Sequence, residues 1–134
     1  MDTTIDEFAK FAAALVNGKG YLPHHEPKWS SRSCISQRRR NSLQPDLPVG
    51  LQRKDLYAGL GVVVFEGPQG RGFYKGGHNG TTANTMVCLE AHKRVVLILS
   101  NDVRSEAGFA DLVKFILGER GVPYEWEYGN SAGK

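Results

Sequence analysis

Two strand patterns separated by only five residues constrain the fold of this chain most strongly. Residues 82–89 alternate between the two faces of an extended strand. Residues 95–99 are apolar on both faces, which predicts an interior strand covered from both sides. Because residues 90–93 leave room only for a tight connection, the two strands are predicted to be antiparallel neighbours. The alternation places Thr85, Val87 and Leu89 on one face, and Met86 and Cys88 on the other.

The residues before this pair also have strand character. Residues 57–65 are rich in Val, Leu and Gly and are predicted to form one strand. A turn signal at 66–70 follows, after which residues 72–75 can return as a second strand. Residues 56–101 are therefore predicted to form an antiparallel sheet of three to four strands.

A helix is predicted on either side of this sheet region. Residues 2–18 begin with Thr4 and Glu7 at capping-box spacing, and residues 105–118 begin with Ser105 as a cap. Antiparallel strands covered by helices give an α+β fold, and 134 residues suit a single domain, 1–134. The predicted core positions of the helices are Ile5, Phe8, Phe11, Ala12, Leu15, Val16, Ala107, Phe109, Ala110, Leu112, Val113, Phe115, Ile116 and Leu117.

Residues 20–55 show no period and are predicted to form a long irregular basic loop, with residues 24–54 the least ordered part between the helices. The loop carries Arg38, Arg39 and Arg40, but Trp29 is the only aromatic residue among its cations. Single-strand nucleic-acid binders interleave several aromatic residues, and the net charge of +3 is mild. A solvated basic loop is therefore favoured over a nucleic-acid site. Residues 119–134 form a tail that either packs back or frays.

Neither a metal nor a cofactor is predicted. Cys34 and Cys88 have no metal-type partner spacing, and Cys88 is predicted to be a small buried hydrophobe. The sequence at His24 and His25 lacks a third ligand at zinc spacing, and His92 is expected to be exposed. No apolar run reaches the ~18 residues of a membrane helix, so no membrane association is expected, and the compartment stays open.

The stretch most suggestive of chemistry is residues 75–90, which begins Lys-Gly-Gly-His-Asn-Gly. Gly76, Gly77, His78 and Gly80 come directly before a predicted strand. Glycine tolerates positive φ and close approach of the backbone to another group. Backbone N–H groups and an imidazole can therefore face a ligand here, although the same residues also suit an ordinary glycine-rich hairpin turn.

In their order and spacing, these segments resemble the C-terminal part of the serine β-lactamase, D-Ala-D-Ala carboxypeptidase and esterase family. The resemblance rests on the helix at 3–15, the aromatic-Gly-Leu-Gly strand at 57–62, the His-x-Gly box at 78–80, and the final strands at 84–89 and 95–101. It covers most of residues 2–118 and is weakest at 21–55. It implies a β-lactamase-like fold in which residues 95–99 are interior, so that an exposed edge there would speak against it.

The resemblance implies roles for individual residues in one of two registers. Either Lys75-Gly76-Gly77 stands for the Lys-Thr-Gly box, or His78-Asn79-Gly80 stands for its His-x-Gly variant, which needs no gap into the strand. In the second register, His78 helps to position the substrate or a proton. Thr81, directly after Gly80, offers its backbone N–H to the oxyanion hole. Candidate substrate-binding residues are Lys75, which would attract a carboxylate-bearing substrate, and Gly77, Asn79 and Asn84.

The family nucleophile, a Ser-x-x-Lys upstream of the box, has no credible counterpart here. Formal matches to Ser-x-x-Lys at 131–134 and to Tyr-x-Asn at 128–130 follow the box, in the wrong order. An activated serine needs a base held within hydrogen-bond reach, which a fraying terminus does not supply.

The predicted function is therefore that of a C-terminal fragment or truncated hydrolase, inactive alone. It would act on an ester, amide or β-lactam once the missing N-terminal part completes it. The helix cap close to Met1 likewise suggests a piece of a longer protein. A sheet without its neighbours is expected to self-associate. The alternative is a non-catalytic binding module that uses the basic loop 28–54 to engage an acidic partner.

Overall fold

The computed structural model describes residues 3–18, 55–59, 61–119, 121–122 and 124. Its helices and strands are α1 (Ile5–Val16), β1 (Leu56–Ala58), β2 (Val63–Gly67), β3 (Gly70–His78), β4 (Ala83–Leu89), β5 (Arg94–Ser100) and α2 (Phe109–Leu117). The strands lie in the sheet in chain order, each antiparallel to the next. The predicted α+β fold, an antiparallel sheet with an N-terminal and a C-terminal helix, is confirmed, with five strands rather than three to four. The predictions for the basic loop 20–54, including His24, His25, Cys34 and Arg38 to Arg40, and for the tail beyond Tyr124 lie outside the described residues.

In the described part of the chain, each face of the sheet is covered by one helix. On one face, α1 contributes Ala12 and Val16 to a cluster with Val64, Phe73, Met86 and Cys88. On the other, α2 contributes Val113 and Leu117 to a cluster with Leu56, Phe65, Tyr74, Val87, Leu89, Val96 and Tyr124. The predicted alternation along β4 and the burial of Cys88 are thus confirmed. Full burial of one such large apolar side chain stabilises the fold by about 1.5–3 kcal/mol.

The start and end of α1 follow its local sequence. The Thr4 hydroxyl oxygen accepts a hydrogen bond from the Glu7 N–H (3.3 Å), which satisfies one of the orphan donors of the first turn. Gly18, at φ 68°, ends the helix in the left-handed conformation that glycine adopts without strain. The predicted cap and stop are confirmed.

The start of the second helix differs from the prediction. Ser105 does not cap it; instead Asp102 caps a short 3-10 helix, Val103–Gly108, by accepting a hydrogen bond from the Arg104 N–H (2.9 Å). The Ser105 hydroxyl donates to the Asp102 carbonyl oxygen (2.7 Å). The C-terminal helical segment therefore starts at Val103, before the predicted start at Ser105, and its first part is a 3-10 helix. The α-helix itself begins at Phe109.

The single strand predicted over residues 57–65 is wrong. The chain reverses between β1 and β2, where Gly61 takes φ 78° and the Gly59 N–H donates to the Val62 carbonyl oxygen (2.9 Å). In the sequence, these two glycines do not interrupt the strand pattern. In the folded chain, they supply the conformational freedom for this turn.

The interior position predicted for residues 95–99 is also wrong for the described sheet. Among the described residues β5 pairs only with β4, and Leu99 is 42% exposed. Both helices nevertheless contact β5, α1 on one face and α2 on the other. β5 is therefore apolar because a helix packs on each of its two faces, and not because a neighbouring strand lies along each of its two edges.

Two phenylalanines assigned to the core lie at the surface. Phe11 is 55% exposed and lies one residue from the buried Ala12, whereas Phe115 is 88% exposed and lies two residues from the buried Val113 and Leu117. Ile5, Leu112 and Ile116 are exposed as well, whereas Phe109 is buried as predicted. No helix in the described part of the chain is long and apolar enough to cross a membrane.

Candidate functional site

The predicted box lies where β3 turns into β4, and Asn79 organises that turn. The Asn79 N–H donates to the Thr82 carbonyl oxygen (3.0 Å). Its side-chain oxygen Oδ1 accepts from the N–H groups of Thr81 and Thr82, both at 2.8 Å, and from the Thr81 hydroxyl at 3.1 Å. An asparagine that bonds to the backbone two residues ahead mimics a backbone turn. Asn79 is therefore engaged in shaping the loop, and the Thr81 N–H proposed for an oxyanion already has an acceptor.

His78 is the last residue of β3 and contacts a carboxylate from a distant part of the chain. Its Nδ1 lies 3.0 Å from Oε1 of Glu106, in the 3-10 helix before α2. The imidazole is 54% exposed, whereas the Glu106 side chain is 16% exposed. The sequence reasoning missed Glu106, because 28 residues separate it from His78 and no local motif joins them.

Glu106 is brought to His78 by the way α2 is fastened at its other end. The Gln69 side-chain amide donates to the carbonyl oxygens of Leu117 (2.8 Å) and Glu119 (2.6 Å). Arg94 donates to the carbonyl oxygen of Ile116 (2.8 Å). The last carbonyls of a helix have no partner within it, so these bonds satisfy them and tie the C-terminus of α2 to the far end of the sheet. The opposite end of the helical segment then lies beside the β3–β4 turn.

An open depression of about 490 Å³ lies beside this turn, lined by Gly80, Thr81, Asn101, Asp102, Val103 and Arg104. A Cβ placed on Gly80 would meet nothing within 4 Å, so the space above this glycine is open. The Arg104 guanidinium binds the Asp102 carboxylate through two of its nitrogens, with Nη2 at 2.6 Å from Oδ2 and Nε at 2.9 Å from Oδ1. These bonds lower the pKa of Asp102, which stays ionised at neutral pH, and they raise the pKa of Arg104. The charges that line the depression therefore cancel.

The predicted site residues divide between the two faces of the sheet. Phe73 belongs to the α1 side and Tyr74 to the α2 side, so counting in steps of two puts Lys75 and Gly77 on the α1 side and His78 on the α2 side. Asn84 pairs with Gly77 across the strands and lies with it on the α1 side. The Lys75 ammonium donates to the Gly76 carbonyl oxygen. The substrate-binding candidates Lys75, Gly77 and Asn84 are thus not brought onto the face where His78 meets Glu106.

One edge of β3 has no neighbouring strand as it approaches His78. The pairing with β2 ends at Tyr74, and no strand among the described residues continues it beside 75–78. The Asn79 N–H and the Arg71 carbonyl oxygen form hydrogen bonds on the side of β3 that faces β4. Because the main-chain groups of successive residues in a strand point to alternate sides, those of Gly76 point away from β4. Gly76 is nevertheless buried, and its carbonyl oxygen accepts a hydrogen bond from the Lys75 ammonium.

Other chemistry finds less support in the described residues. They contain no group of three or more His, Cys, Asp or Glu side chains that could hold a metal ion. Burial raises the pKa of the Cys88 thiol to about 12, so this cysteine is a core residue and not a nucleophile. His92 is exposed at the connection between β4 and β5, as predicted.

Comparison of the chain with protein-family models, with curated proteins and with solved structures gave no match.

Proposed function

We propose that this chain is the C-terminal portion of a β-lactamase-related serine hydrolase and that its β3–β4 turn forms one wall of an acyl-enzyme site. The observation that carries the proposal is the pairing of His78 with Glu106. Neither residue lines the open depression, but each lies two residues along the chain from a residue that does, Gly80 and Arg104. An imidazole held by a carboxylate, next to a glycine-rich turn, is an arrangement suited to moving a proton during acyl transfer.

In this site, His78 carries the proton. The nucleophilic serine, which lies outside the described residues, forms a bond to the carbonyl carbon of the substrate as its hydroxyl proton passes to the imidazole of His78. The imidazole passes a proton to the leaving oxygen or nitrogen as the scissile bond breaks. General acid–base catalysis of this kind contributes about 10²–10⁴ in rate.

The Thr81 N–H donates to the oxyanion, and the side-chain oxygen of Asn79 competes for the same N–H. Its N–H is bonded to a neutral amide oxygen in the resting turn. A developing oxyanion is a stronger acceptor than an amide, because hydrogen bonds to a charged group are roughly twice as strong as those between neutral groups. The N–H would therefore turn to the substrate in the transition state, where the interaction accelerates the reaction.

The charges beside the turn favour a neutral ester or amide over a carboxylate-bearing β-lactam. Arg104 is neutralised by Asp102, and Lys75 lies on the other side of the sheet from His78. Glu106 adds a negative charge next to the imidazole. A substrate carboxylate would meet no uncompensated cation among the residues that line the depression.

Among the described residues β5 lies at the edge of the sheet, which speaks against the resemblance unless a further strand pairs with it. In the resembled family, strands from the N-terminal part complete the sheet. A strand paired with β5 would restore the interior position that the resemblance implies for residues 95–99. A strand of seven residues that is largely apolar is otherwise an unusual sheet edge, since exposed edges of this kind promote aggregation.

The coding DNA upstream of Met1 tests the proposal. We expect an in-frame Ser-x-x-Lys followed by a Tyr-x-Asn or Tyr-x-Ser. An upstream sequence without either motif would contradict the assignment. The alternative function, binding of an acidic partner by the basic loop 28–54, lies outside the described residues. If it holds, binding of a polyanion weakens steeply with added salt through counterion release.

A further inference from the structure

We infer that Glu106 is a positioning residue that holds His78 in the tautomer with the proton on Nδ1, so that Nε2 carries the lone pair. The assignment of the tautomer rests on the contact between His78 Nδ1 and Glu106 Oε1. Its consequence for catalysis rests on the proposed function.

The chemistry of the two groups fixes the direction of the hydrogen bond. An ionised carboxylate only accepts, so at 3.0 Å from Glu106 Oε1 the Nδ1 of His78 must donate. A neutral imidazole has one N–H, which leaves the other nitrogen, Nε2, as the proton acceptor. Without a partner on Nδ1, nothing in this pair would select that tautomer.

Burial makes Glu106 a better orienting group than an exposed carboxylate would be. Its side chain is only 16% exposed, and its backbone lies within the 3-10 helix. Asp102, the other carboxylate of this segment, is occupied by Arg104. The two acids therefore have separate tasks: Asp102 caps the segment and binds its arginine, whereas Glu106 faces the imidazole.

The test is the tautomer of His78 in residues 1–134, read from long-range ¹H–¹⁵N correlations of the imidazole at a pH where the ring is neutral. The resonances of His78 are those lost in His78→Gln. We expect the Nδ1–H form to dominate in the wild type and the ratio of the two tautomers to fall about fivefold or more in Glu106→Ala, as for loss of a hydrogen bond to a charged group. Asp111→Ala, which removes the same charge from an exposed site on α2, is the matched control and should leave the ratio unchanged.

The backbone ¹H–¹⁵N spectrum of each variant shows whether the sheet remains folded. A dominant Nε2–H form in the wild type, or an unchanged ratio in folded Glu106→Ala, would overturn the inference. If Glu106→Ala unfolds the sheet, the wild-type tautomer still decides. Because no substrate is involved, failure of the hydrolase proposal leaves this result intact. In the completed hydrolase, Glu106→Ala should lower kcat with little change in KM.

Discussion

The β3–β4 hairpin has two ends that are built in different ways. At the packed end, Gly72 lies opposite Leu89, and at the open end, His78 lies opposite Ala83. The packed end is fixed by apolar contact and has almost no spare volume. The open end is fixed by hydrogen bonds between side chains and backbone and borders an open depression.

The two glycines of β3 show the contrast most clearly. A Cβ on Gly72 would lie 2.5 Å from the ring of Phe65 and 2.6 Å from the carbonyl oxygen of Cys88. A Cβ on Gly77 would lie 3.5 Å from the Asn84 side chain, an ordinary contact. One glycine is required by packing and the other is not. Substitutions at the packed end should therefore cost more stability than those at the open end.

The largest effect is expected from Gly72→Ala. The new methyl group clashes with a buried ring and with backbone, neither of which can move without disturbing β2 or β4, so the variant should lose about 3 kcal/mol of unfolding free energy. Gly77→Ala, in the same strand, should stay within about 0.5 kcal/mol of the wild type. Urea unfolding followed by circular dichroism measures both. Equal losses in the two variants would remove the distinction between the ends.

Alkaline pH should weaken the packed end through Cys88. Burial raises the pKa of this thiol from an ordinary value of 9.0 to about 12. Because the folded pKa is the higher one, the stabilisation is complete below about pH 9 and is lost as the pH rises toward about 12. The loss is at most about 1.4 kcal/mol per pH unit. Unfolding free energies in this range should fall less steeply in Cys88→Ala; identical slopes would mean that the thiol is accessible in the folded state.

At the open end, Asn79→Ala should cost about 1 kcal/mol, since the N–H groups of Thr81 and Thr82 exchange a side-chain acceptor for water. Asn79→Asp keeps an oxygen at the same position and should retain most of that stability. Thermal or urea unfolding of the two variants is the measurement. If Asn79→Ala is as damaging as Gly72→Ala, the open end is held by packing after all.

A separate effect concerns association. Leu99 lies opposite Asn84 on β5, at the open end of the sheet edge. We expect residues 1–134 to run as a dimer or larger by light scattering, and Leu99→Lys to weaken that association about tenfold, because a lysine on a strand edge blocks pairing. Phe115→Lys, on the exposed flank of α2, is the control. A stable wild-type monomer, or loss of association only in Phe115→Lys, would rule out pairing through β5.

Features determined by neighbouring residues were predictable from the sequence. The alternation along β4 and the Thr4 cap depend on contacts within a few residues, and both are confirmed. The Asn79 turn could have been found as well, since an asparagine two residues before a free N–H is a turn signal. The bond from the Thr81 N–H to the Asn79 side chain is a consequence of this turn.

Features that depend on distant residues were not predictable in this way. The run of apolar residues in β5 does not distinguish helices on both faces from strands on both sides. The contact of Glu106 with His78 requires the whole path of β4, β5 and the 3-10 helix to be known. The single strand predicted over residues 57–65 is two strands in the structure. The sequence did not show that Gly61 takes a positive φ, at which the chain reverses.

The most direct test of the account is hydrolysis of a chromogenic ester by residues 1–134, alone and joined to the segment encoded upstream. The chain alone should show no turnover. The joined protein should be active, His78→Gln should lower its kcat by about 100-fold or more, and Gly77→Ala should leave it within a few-fold of the wild type. Turnover by the isolated chain that Ser131→Ala abolishes would contradict the account and place the nucleophile in the tail.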